Sequence, residues 1–95
     1  MQINEYLKMI MQKKKIKQCE ILLEMNKRHM GENGVDINKQ HISNILNGSR
    51  KLSPYMARKF EIVLDLEKYS LVKLVGFPKG EKGMKTLSEL DRLEE

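Results

Sequence analysis

The chain has 95 residues, 40% hydrophobic and 5% aromatic with no Trp, and carries a net charge of +5 with a pI near 9.4. That length suits one small domain with a modest core, filled by Leu, Ile, Val and seven Met. A single Cys excludes an intramolecular disulfide, and no apolar run approaches the length of a membrane span.

From Ile3 to about Lys14, the residues Ile3, Tyr6, Leu7, Ile10 and Met11 recur at helical spacing, with Glu5, Lys8 and Lys13 between them. Lys13-Lys14-Lys15 places cations at the negative end of that helix dipole, as a solvated cap or as a phosphate contact. A second helix follows, with Ile21, Leu22 and Met25 inward and Cys19 as a small packing residue. Asn26 to Met30 reads as its extension, ended by Gly31, with Lys27, Arg28 and His29 in the last turn. Glu32-Asn33-Gly34 is then a turn, and Ile37 re-enters the core.

The next stretch, NKQHISNILNGSRKLS, predicts a short helix over 38–47. Ile42, Ile45 and Leu46 share one face, while Lys39, Gln40, Ser43 and Asn44 point elsewhere. Asn38 is an N-cap, its side-chain oxygen able to accept an orphan backbone N–H. Gly48 supplies the left-handed residue that ends the helix, and Arg50 and Lys51 set two cations beside the turn. Burial of Ile42 or Ile45 implies that truncation to Ala costs about 2–5 kcal/mol. Ser53-Pro54 opens a fourth helix as N-cap and N1, running to about Leu66 with Met56, Ala57, Phe60, Val63 and Leu64 inside. A fifth follows near Tyr69 to Val75 with Leu71, Val72 and Val75 apolar, stopped by Gly76 and Pro78. Lys79 to Lys85 reads as linker. Thr86 and Glu89 suit a capping box for a short helix bearing Leu87, Leu90 and Leu93, a tail that docks on a partner or stays disordered.

ISNILNGSRKLSPYMA resembles the second half of the repressor/Cro-like (Xre-type) helix-turn-helix DNA-binding family. The resemblance covers roughly residues 3 to 76, most specifically 37 to 64. It implies an all-α, five-helix lambda-repressor-like domain over 1–78, with an enlarged connection between helices 2 and 3, followed by the tail 79–95. It also implies that helix 38–47 enters the major groove of double-stranded DNA. Lys39, Gln40 and Asn44 then align with base-reading positions, with Ser43 as a secondary reader. Gln18, Asn38, Asn47, Arg50, Lys51 and the Gly48 N–H would hold phosphates. Three features depart from the family pattern: Lys17 stands where Ser or Thr caps helix 2, Leu22 replaces a small residue, and Asn26 to Asp36 is about ten residues longer than the usual turn.

The basic excess falls where that reading needs it: up to Pro78 there are 14 Lys/Arg against 8 Asp/Glu, and beyond it 4 against 5. His29 and His41 lack ligand-spaced neighbours, and neither a phosphate loop nor a nucleophile–base pair stands out. The expectation is therefore no enzyme, no metal and no cofactor. The N-terminus lacks the charge order of a secretory signal, which with the lone Cys suggests a cytoplasmic protein. The function expected is a phage, plasmid or bacterial transcriptional regulator, a repressor acting as a homodimer through helix 5 and the leucine tail. Two alternatives stand beside it: an antitoxin that binds DNA and grips a toxin through 79–95, and a protein-interaction module derived from the same fold.

Overall fold

A computed structural model describes residues 2–32 and 34–94, Glu94 by its backbone alone. Six α-helices and a terminal 3₁₀ turn make up the regular structure, and no strand occurs among the described residues. The helices are α1 (Ile3–Lys14), α2 (Gln18–Lys27), α3 (Lys39–Leu46), α4 (Pro54–Val63), α5 (Val72–Val75) and α6 (Gly80–Glu89), followed by the 3₁₀ turn Leu90–Glu94. None of these helices is long and apolar enough to cross a membrane. The chain divides into two units, Met1–Lys51 and Leu52–Glu95.

In the first unit α3 packs on both α1 and α2. Leu7 and Ile10 of α1, Ile21 and Met25 of α2, and Ile42, Ile45 and Leu46 of α3 are buried. The helix ends follow local chemistry. Lys15 takes the left-handed conformation (φ 57°), and the Ile16 N–H reaches back to the Met11 carbonyl at 2.9 Å. His29 does the same after α2 (φ 57°), with the Met30 N–H donating to the Met25 carbonyl at 3.0 Å. These are Schellman ends built without glycine. Helix α2 consequently stops at Lys27, earlier than the expected extension to Met30, and Gly31 is not its stop.

The connection between α2 and α3 is closed at its base. The Asn26 amide clasps the Ile37 backbone, Oδ1 accepting its N–H at 2.7 Å and Nδ2 donating to its carbonyl at 3.2 Å. Ten residues, 27–36, thus lie between two points held together. Met30 plugs this loop into the core, only 2% exposed. Gly31 has no alternative: a Cβ there would meet the Val35 carbonyl oxygen at 1.8 Å.

The second unit is built on α4, against which α5, α6 and the terminal turn pack. Ser53 Oγ accepts the Met56 N–H at 3.2 Å, so the expected Ser-Pro start holds. The helix ends at Val63, short of Leu66, because Asp65 turns left-handed (φ 55°); Val63, expected inside, is only half-buried. Helix α5 shrinks to Val72–Val75, since Tyr69 is also left-handed (φ 68°). Residues 80–85, read as linker, are helical; Thr86 lies inside α6 rather than capping it, its hydroxyl donating to the Lys82 carbonyl at 3.0 Å. Leu87 is completely buried.

A charged network ties this unit together. Glu61 is fully buried and accepts the backbone N–H groups of Tyr69 (2.7 Å), Leu71 (2.8 Å) and Val72 (2.9 Å), which is why α5 starts where it does. Arg58, also fully buried, donates to Glu61 at 3.2 Å and to Asp91 at 3.1 Å. Lys68 binds the other Asp91 oxygen at 2.6 Å. Burial opposes charge on Asp91, but the Lys68 and Arg58 hydrogen bonds outweigh it and hold the carboxyl below its usual range. Removing one member of a buried charged network leaves the others without compensation. Glu61→Ala should lower unfolding free energy by about 3–5 kcal/mol in a denaturant titration. A near-neutral result would show that the three N–H bonds are not what anchors α5.

Candidate functional site

A helix has one rotational freedom about its axis, and the buried face of α3 removes it. Ile42, Ile45 and Leu46 are 0%, 2% and 5% exposed. At about 100° per residue, Gln40 and Asn44 then fall opposite that face, while Lys39 and Ser43 fall on one flank. The four expected readers therefore separate into a ridge and a wall.

The wall faces α2. Lys39 and Ser43 line a groove of about 500 Å³ with Lys17, Gln18, Cys19 and Leu22. Gln18, the first residue of α2, is half-buried there. The groove thus unites one expected phosphate ligand with two expected base readers. It also corrects two expectations: Cys19 is exposed rather than packed, and Leu22 is only half-buried, lining the groove.

On the ridge, Gln40 Nε2 donates to Asn44 Oδ1 at 2.9 Å. Asn38 caps the helix as expected, its Oδ1 accepting the Gln40 backbone N–H at 2.7 Å. At the other end the chain turns tightly. Gly48 is left-handed (φ 84°), and a Cβ there would stand 3.1 Å from the Asn4 amide, which itself donates to the Leu46 carbonyl at 3.4 Å. The Gly48 N–H, expected to face a phosphate, instead donates to the Ile45 carbonyl at 3.3 Å. Asn47 Oδ1 accepts the Ser49 N–H at 2.9 Å, which leaves its NH₂ to donate outward. The Asn44 carbonyl accepts both the Arg50 N–H at 3.0 Å and the Ser49 hydroxyl at 3.4 Å. Arg50 and Lys51 are exposed.

All of these residues belong to the first unit. Residues 1–51 hold 10 Lys/Arg and 5 Asp/Glu, whereas 52–95 hold 8 of each. The entire +5 therefore resides on the unit that carries the site. The connection between α2 and α3 adds nothing to it, since Lys27 and Arg28 are balanced by Glu32 and Asp36, and Arg28 is paired with Glu24 at 3.2 Å.

Lys17 is the residue that the sequence reading left out of the site. Its signal was present as an irregularity, a lysine at an N-cap. Glu20 Oε1 accepts the Lys17 N–H at 3.1 Å, one half of a capping box. An ammonium has no acceptor for the other half, and it stands at the positive end of the helix dipole. The residue lowers the stability of α2 while placing a second cation in the groove with Lys39. Comparison with family models, curated proteins and solved structures found no match to this chain.

Restoring a good cap tests that trade. Lys17→Ser should raise the unfolding free energy by about 1 kcal/mol in a thermal or denaturant melt. A loss of stability instead would mean that the lysine stem contributes more by packing than its head group costs.

Proposed function

We propose that this chain binds double-stranded DNA sequence-specifically and acts as a prokaryotic or phage transcriptional repressor of the repressor/Cro-like helix-turn-helix kind. The observation that carries the reading is the setting of α3. Its apolar face is sealed, its amide and hydroxyl groups point outward, and a basic turn follows on the one unit that bears the net charge. An eight-residue helix of about 10–12 Å diameter fits the major groove of B-DNA, whose base edges match its side-chain chemistry. The five-helix repressor-like arrangement is the fold that this reading implies.

In this mechanism Lys39, Gln40, Ser43 and Asn44 make up the face turned to the base edges, while Gln18, Asn38, Asn47, Arg50 and Lys51 hold phosphates and set register. Lys17 joins the phosphate set. One such motif reads only a few base pairs, so the protein acts as a homodimer on two half-sites about 34 Å apart. Leu87 is spent inside the second unit, so the large apolar side chains exposed there among the described residues are Leu74 (59%) and Phe77 (45%). These carry the proposed dimer contact on α5 and the segment after it, rather than the leucine tail.

Counterion release makes the phosphate role measurable. Binding to a duplex should weaken steeply with salt, and Arg50→Ala should reduce the slope of log K against log salt by about one unit across all sequences alike. Binding insensitive to salt, or absent, would favour the protein-interaction reading of the same fold.

A further inference from the structure

The ridge of α3 carries a hydrogen bond that changes how its two amides can read DNA. We infer that Gln40 and Asn44 form one reading unit, with Asn44 touching the base and Gln40 fixing its amide, and that the pair specifies a single adenine. The inference rests on the DNA-binding reading above.

Gln40 Nε2 donates to Asn44 Oδ1 at 2.9 Å, one helical turn apart on the side opposite the buried face. A primary amide left to itself rotates and can present either its oxygen or its nitrogen to a partner. With Oδ1 turned toward Gln40 Nε2, a half-turn of the Asn44 amide alone would set donor against donor, so the two amides turn only together. The Asn44 amide is thereby held in the plane that faces Gln40, with one acceptor and one donor left free in either sense. Its oxygen keeps a second lone pair and its nitrogen keeps its hydrogens, so the outward edge offers one acceptor beside one donor. Adenine presents the complement in the major groove, the N6–H donor beside the N7 acceptor. Guanine presents two acceptors there, which the one donor and one acceptor left on the paired amide cannot satisfy.

The backbone of both residues is itself tied. Asn38 Oδ1 holds the Gln40 N–H at 2.7 Å, and the Asn44 carbonyl holds the turn through Arg50 N–H and Ser49 Oγ. Asn44 therefore couples base reading to the position of the basic turn. Gln40 is a positioning residue, not an independent reader of a second base.

The test is a binding-site selection from random duplex DNA with wild type, Asn44→Ala, Gln40→Ala and Gln40→Glu. The wild type should enrich a site containing an adenine whose preference falls roughly tenfold in Asn44→Ala. Gln40→Ala should flatten that same position and no other. Gln40→Glu keeps the size but accepts instead of donating, so it should turn the Asn44 amide over and also lose the adenine. A pair that merely stabilises the helix would lower the melting temperature in Gln40→Ala and leave that position intact, which would overturn the inference. So would loss of two different positions in Asn44→Ala and Gln40→Ala, while leaving the DNA reading standing. A wild type that enriches no sequence would overturn both.

Discussion

Everything proposed for this protein depends on the rotational setting of α3. Three side chains fix it, Ile42, Ile45 and Leu46, each nearly or fully removed from water. Burying a large aliphatic side chain stabilises by about 1.5–3 kcal/mol, so turning the helix to hide its polar face instead would forfeit several such terms at once. The same turn would bury amides without partners. Hydrophobic burial therefore selects which side chains look outward, and the hydrogen bonds around Asn38, Gln40, Asn44 and Asn47 then restrict how they look. The asparagine-rich stretch uses its side chains on its own backbone at both ends of the helix and on each other within the ridge.

The two units divide the labour. Residues 1–51 carry the net charge, the groove and the exposed basic turn, in a unit whose helices end on left-handed Lys15 and His29. Residues 52–95 are electrically neutral overall and are held by Glu61, which satisfies three backbone N–H groups that a helix start would otherwise leave orphaned. Arg58 links that carboxylate to Asp91, so the C-terminal segment is part of this unit's structure. Within each unit the irregular features have an evident physical reason. The Asn26 clasp closes the ten residues 27–36 at their base, and a lysine N-cap trades helix stability for local charge.

Much of the helix plan was legible because it rests on local signals. The apolar spacing of Ile3 to Met11, the Asn38 and Ser53 caps, and the Gly48 turn all act within a few residues of themselves. The misplaced boundaries share one cause. His29, Asp65 and Tyr69 adopt left-handed backbone that tertiary context imposes on residues whose sequence favours continuing a helix. The tail misled for a related reason: its two early glycines suggested a linker, but burial of Leu87 and the Arg58–Asp91 bond supply what local propensity lacks. Of the site, the sequence disclosed the identity of the outward residues on α3. It could not disclose their division into a groove wall and a hydrogen-bonded ridge, because that follows from the helix phase and from contacts with α2.

The central claim is that the outward face of α3, with the α2 start beside it, meets the base edges of a duplex. Side-chain amide and backbone NMR shifts, followed while a selected duplex is titrated in, test it most directly. The largest changes should fall on Gln40 and Asn44 side chains and on Gln18, Lys39 and Ser43, with Leu7, Ile21 and Glu61 unmoved. Perturbations centred instead on Leu74, Phe77 or the terminal turn, with the Gln40 and Asn44 amides unchanged, would contradict it.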